Sequence, residues 1–121
     1  MVEGVRFDFE DLEVYKRALI FVDKMFDICE KFSYHFQSSL GDQLRRASLS
    51  IVNNIAEGSD KISSREKKRY FMYSLDSARE CIPMLAICKS RRLIKEEVEN
   101  VLREDCKIIC RMLNKLIKSI K

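Results

Sequence analysis

Between Leu12 and Phe32 apolar residues recur in two interleaved helical stripes. One is Leu12, Tyr15, Leu19, Val22, Phe26 and Cys29; the other is Val14, Ala18, Phe21, Met25, Ile28 and Phe32. Each has the alternating three- and four-residue spacing of a bundle seam and predicts a helix over residues 9–32. Together they make a face wider than one helix of a small monomer needs. One stripe serves the protein's own core. The other is expected to meet a second subunit, with Val14, Phe21, Met25 and Ile28 as interface candidates.

The polar and aromatic stretch Ser33 to Ser39 predicts a loop holding His35, with Ser38 or Ser39 capping the next helix. That helix is expected over 40–57, seamed by Leu40, Leu44, Ala47, Ile51 and Ile55. Gly58 stands where a left-handed C-terminal cap belongs. Ser63 and Glu66 then form a capping-box pattern opening a third helix over 64–91. Its seam is Phe71, Ser74, Ala78, Cys81, Leu85 and Cys88, and Pro83 predicts a kink or a break within it. A fourth helix over 95–120 carries Val98, Leu102, Ile109, Leu113, Leu116 and Ile120. Its acids gather at the start and only bases follow Asp105, as a helix dipole favours. The expected architecture is a single all-α domain over 1–121, an antiparallel up-down four-helix bundle.

Composition narrows the function. The 121 residues are 46% hydrophobic and 35% charged, with one Pro, three Gly and no Trp. No apolar run approaches the ~20 residues that cross a bilayer, and the opening MVEGVRFDFED has the wrong charge for a secretory signal. Five cysteines without a CxxC pair read as reduced thiols in a cytoplasmic protein. Cys106 and Cys110 are spaced to share a helix face, but with His35 the only histidine no metal site is expected. No glycine-rich phosphate loop and no nucleophile with a nearby base is present, so neither enzyme activity nor a cofactor is expected.

Charge is divided between the halves. Residues 1–60 hold seven bases and eleven acids, a net of −4, whereas residues 61–121 hold sixteen bases and eight acids, a net of +8. Arg45 and Arg46 are adjacent, and a second cluster runs from Lys61 to Arg69. Arg103, Lys107, Arg111 and Lys115 then recur every four residues, followed by Lys118 and Lys121. Like charges at that spacing cost roughly 0.2–0.5 kcal/mol per pair unless an anion faces them. Phosphate answers that need, with Arg45, Arg46, Lys107, Arg111, Lys115 and Lys118 as nucleic-acid candidates and few exposed aromatic platforms. Helix 1 answers it too, through Asp23, Asp27 or Glu30 of the same or a neighbouring subunit.

Helix 2 is unusually polar on its inner side. Asn54 falls beside the seam, where a buried amide needs partners. Ser74, Ser77 and Glu80 are within expected reach, so Gln43, Asn54, Glu57, Ser77 and Glu80 form an expected structural polar network that fixes register.

The stretch QLRRASLSIVNNIAEG, Gln43 to Gly58, resembles the signature of the bacterial four helix bundle proteins, also called 23S ribosomal RNA intervening sequence proteins. The opening FEDLEVYKRA from Phe9, with Ser77 and Glu80, is similar to other parts of that family, and the resemblance spans residues 7–120. Asp76 replaces the usual Gly before the helix 3 serine, and Pro83 is not a family hallmark. The resemblance implies a left-handed up-down bundle assembled as a ring-like homo-oligomer, commonly a homopentamer. Its name records gene location and not activity.

The sequence therefore predicts a non-enzymatic oligomeric bundle that binds RNA or other nucleic acid electrostatically. The alternative is a protein-interaction scaffold whose charges serve self-assembly or a protein partner. Neither reading involves a membrane.

Overall fold

The structure, a computed structural model, describes residues 4–121. Four long helices account for most of it: α1 (Glu13–Glu30), α2 (Asp42–Asp60), α3 (Ser64–Ser90) and α4 (Glu96–Ser119). No strand occurs among the described residues. Consecutive helices pack side by side and α4 closes back on α1, with α2 and α3 the most extensively packed pair and α1 and α4 the least. Short connections between α2 and α3 and between α3 and α4 turn the chain back on itself, the up-down arrangement of a bundle.

The core draws on every helix. Phe21, Met25, Leu44, Ile51, Ile55, Leu85, Leu102, Ile109 and Leu113 are all but fully buried. On α1 the inward stripe is Val14, Ala18, Phe21 and Met25, continued by Phe32 just past the helix end and joined by Val22 and Cys29. This corrects the expectation that Val14, Phe21 and Met25 face a second subunit: α2 and α4 flank α1 from both sides and take them into the chain's own core. Ile28 stays half-exposed. What α1 leaves to solvent is Leu19 and Ile20.

Several boundaries differ from the sequence pattern, each for a local reason. Residues Asp8–Asp11 form a separate 3-10 turn before α1. The expected loop after α1 is helical: one turn over Tyr34–Phe36 runs into a π-helical turn over Gln37–Gly41 and straight on into α2. Neither Ser38 nor Ser39 caps anything, and the Ser39 hydroxyl donates back to the His35 carbonyl at 3.3 Å. At the far end Gly58 is helical, not left-handed, and α2 continues to Asp60. Gly58 is needed for close approach instead, since a Cβ there would lie 2.8 Å from the Phe71 ring of α3.

Ser63 caps α3, its hydroxyl accepting the Glu66 N–H at 3.1 Å. The helix then runs unbroken past Pro83, which lies on its exposed side. The α3 terminus is a Schellman motif: the Leu93 N–H donates to the Cys88 carbonyl at 2.8 Å and the Arg92 N–H to the Lys89 carbonyl at 2.9 Å. Arg92 takes the left-handed position, with φ of 61°.

Candidate nucleic-acid interface

Helical spacing on α4 decides where its charges go. Leu102, Cys106, Ile109 and Leu113 turn inward. That places Arg103, Lys107, Arg111, Lys115 and Lys118 on the solvent side, where all five are exposed. Of these only Arg103 joins an ion pair among the described residues, with Glu99 at 3.6 Å. The acids of α1 do not meet the ridge. A single ion pair bridges α1 and α4, and it has the opposite polarity, Lys24 to Asp105 at 2.9 Å. Within one chain, then, Asp23, Asp27 and Glu30 leave Lys107, Arg111, Lys115 and Lys118 unneutralised.

Beside this ridge the α3–α4 seam opens into a groove of about 620 Å³. Arg79 of α3 faces Arg103 and Lys107 of α4 across it, with Asn100 and Glu104 at its edge and Ile82, Cys106 and Cys110 in its wall. Three cations against one carboxylate suit an anionic ligand. Arg79 was missed in the sequence reading because it stands apart from the basic clusters, with Arg69 and Lys89 the nearest bases along the chain; only its position one turn before Ile82, which enters the groove, signals it.

The other basic candidates separate. Arg45 is occupied internally: its guanidinium donates to the Gln37 carbonyl at 2.8 Å, to Gln37 Oε1 at 3.3 Å and to Asp42 at 2.6 Å. It fastens the π-helical turn to α2. Arg46 is exposed and borders a shallow α2–α3 groove with Gln43, Ser50 and Glu80.

The polar network is smaller than expected and differently wired. Asn54 Nδ2 donates to the Ser50 carbonyl at 2.9 Å and to Ser50 Oγ at 3.0 Å, within its own helix. Ser50 and Ser77 hydroxyls meet at 2.8 Å, and the Ser74 hydroxyl donates to the Ile51 carbonyl at 2.8 Å. These last two contacts join α2 to α3. Gln43, Glu57 and Glu80 lie outside the network, exposed to solvent, with Glu57 paired to Lys61 at 3.3 Å. Ser50, one of the polar residues of α2, carries the network, and the buried Glu99 is the polar residue that sequence reasoning missed.

The thiols are free, and all but Cys110 are fully buried. Burial pushes Cys29 up to about 11 and Cys88 up to about 12. Cys106 is also raised, by a hydrogen bond with Cys81 and by burial. At Cys110, burial outweighs the opposing charge of Arg79. None of these four is a thiolate at neutral pH, so none of them is an activated nucleophile. Among the described residues no group of three or more His, Cys, Asp or Glu is arranged to hold a metal ion. No helix among the described residues is long and apolar enough to cross a membrane.

Comparison with curated proteins returns no match. Among solved structures, the chain is similar to a protein of unknown function from the S23 ribosomal protein family of Bacteroides thetaiotaomicron. The two are 21% identical and superpose with a TM-score of 0.80, over 87% of this chain and 95% of that one. At that identity the likeness concerns the fold. The profile of the 23S rRNA-intervening sequence proteins matches residues 10–115, nearly the whole bundle, and the chain belongs to that family.

Proposed function

We propose that the bundle binds nucleic acid, RNA first, by placing phosphates along the α3–α4 groove and the α4 ridge. The observation that carries this reading is the set of exposed cations Lys107, Arg111, Lys115 and Lys118, unpaired among the described residues, beside the groove lined by Arg79 and Arg103. Such contacts are read from the backbone, so binding is largely sequence-independent and falls steeply with salt. No catalytic step is assigned, and five free thiols fit a cytoplasmic site of action. The test is a salt titration of RNA affinity for the wild type and for a Lys107→Gln, Arg111→Gln, Lys115→Gln variant. The variant's slope should flatten by about 0.7–0.9 per lost phosphate contact. Its thermal stability should match the wild type, because exposed charges contribute little through pairing. An unchanged slope overturns the reading.

A second reading, self-assembly into a ring-like homo-oligomer such as a pentamer, is favoured by the α1–α4 seam. Apolar grooves open along it, one lined by Ile28, Val98 and Val101 and another by Leu12, Met112 and Leu116. Light scattering on the same two preparations measures it. If the triple variant instead loses assembly while RNA affinity holds, the charges serve a scaffold.

A further inference from the structure

The start of α3 carries an exposed cluster unlike the α4 ridge, because aromatic rings are built into it. The Arg69 guanidinium lies over two rings at once, 5.5 Å from the Tyr70 centroid and 5.9 Å from that of Tyr73. Lys61 Nζ sits 4.9 Å from the Tyr70 ring, and the two tyrosines meet edge to face at 5.6 Å. Tyr73 is 45% exposed although Arg69 and Tyr70 both contact its ring. Arg65, Arg69 and Tyr73 are four residues apart and line one stripe of the helix. Glu57 and Glu66 neutralise Lys61 and Arg69, whereas Arg65 and Lys68 join no ion pair among the described residues. The sequence reading expected few exposed aromatic platforms. Tyr73 is one.

We infer that this cluster is a stacking platform for an unpaired base, so that the nucleic acid bound is single-stranded RNA and not a duplex. The inference rests on the nucleic-acid reading above and adds the substrate class to it. An aromatic face and a planar guanidinium accept any base, because every base presents a π face. Bases in a duplex are already stacked on one another and offer only their edges, which a flat cluster on a helix surface does not reach. Arg69 holds the two rings in place, which lowers the ordering cost of the contact. Arg65 and Lys68, both toward the start of the helix from Tyr73, supply phosphate contacts on that side of the stacked base.

The test is fluorescence anisotropy with a labelled oligouridylate and with an RNA duplex of equal length, at one salt concentration. Wild type, Tyr73→Ala, Tyr73→Phe and Arg69→Gln are compared, with thermal melts to establish that each is folded. Tyr73→Ala should weaken oligouridylate binding by about 5- to 100-fold, the value of one base stacked on an aromatic side chain. Duplex affinity and the salt slope should stay unchanged, and Tyr73→Phe should restore wild-type binding. Arg69→Gln keeps both rings and should weaken the single strand more than the duplex. If Tyr73→Ala binds the oligouridylate as wild type does, or if the duplex binds as tightly as the single strand, the platform is overturned while phosphate binding stands. If neither RNA binds, both readings fall together, and an acidic protein becomes the partner to seek.

Discussion

Arg92 occupies the backbone conformation that glycine enters freely and a side chain with a Cβ resists. It does so because the Schellman hydrogen bonds and the half-buried Leu93 that follows fix the chain there. Arg92→Gly should therefore stabilise the protein by about 0.5–1 kcal/mol, the relieved strain less the glycine's extra freedom when unfolded. A thermal melt raised by a few degrees is the expected result, and a lowered one contradicts it. The sequence reading assigned the left-handed cap to Gly58. Glycine ranks first for that position, but a left-handed cap is only one of its uses. Contact with the Phe71 ring is the other, and it becomes visible only when α2 and α3 are brought together. The same limit applies to Arg45, whose engagement with Gln37 depends on a π-helical turn that no spacing rule announces.

At the level of the helix, periodicity gave the four long segments and the Ser63 cap, because apolar spacing and capping chemistry are written locally. It assigned the Val14, Phe21 and Met25 stripe of α1 to a second subunit, where the structure turns that stripe inward. Both stripes are equally apolar, and flanking by α2 and α4 decides between them. The continuity of α3 is a related case. Pro83 removes a backbone donor and leaves the carbonyl one turn earlier, on Arg79, without its helical partner. The ring lies on the exposed side of α3, where water reaches that carbonyl, while Ala78, Cys81 and Leu85 hold the helix against the core. Packing overrides propensity here. Pro83→Ala should stabilise the protein by up to about 3 kcal/mol, the difference in helix propensity, read as a higher denaturant midpoint at unchanged m-value. A loss of stability would mean that the ring itself is a packing element.

Across the whole molecule, the excess of positive charge in the second half was evident in the chain, and so was its regular spacing on α4. The groove was not. It is made by two helices, and Arg79 enters it only through the register of α3 against α4. The choice between phosphate and α1 as the counter-charge also needed the assembled bundle, since the seam turns out to join α1 and α4 through Lys24 and Asp105 and not through the ridge.

The thinness of that same seam sets the order in which the bundle comes apart. The α2–α3 pair shares the deepest packing, the Ser50–Ser77 contact and the Gly58–Phe71 approach. Between α1 and α4 the packing is thinnest, opened by grooves, and the one ion pair across it is partly exposed, an interaction of no more than about 1 kcal/mol. Helices α2 and α3 thus form the most cooperative unit, and α1, held firmly only by α2, is the first to open. In native-state hydrogen exchange the amides of α1 should exchange through a smaller opening free energy than those of α2 and α3. Uniform protection across all four helices would contradict that order. Such an opening would bare Phe21 and Met25, so the stripe buried within one chain would be offered to another only while the bundle is partly unfolded.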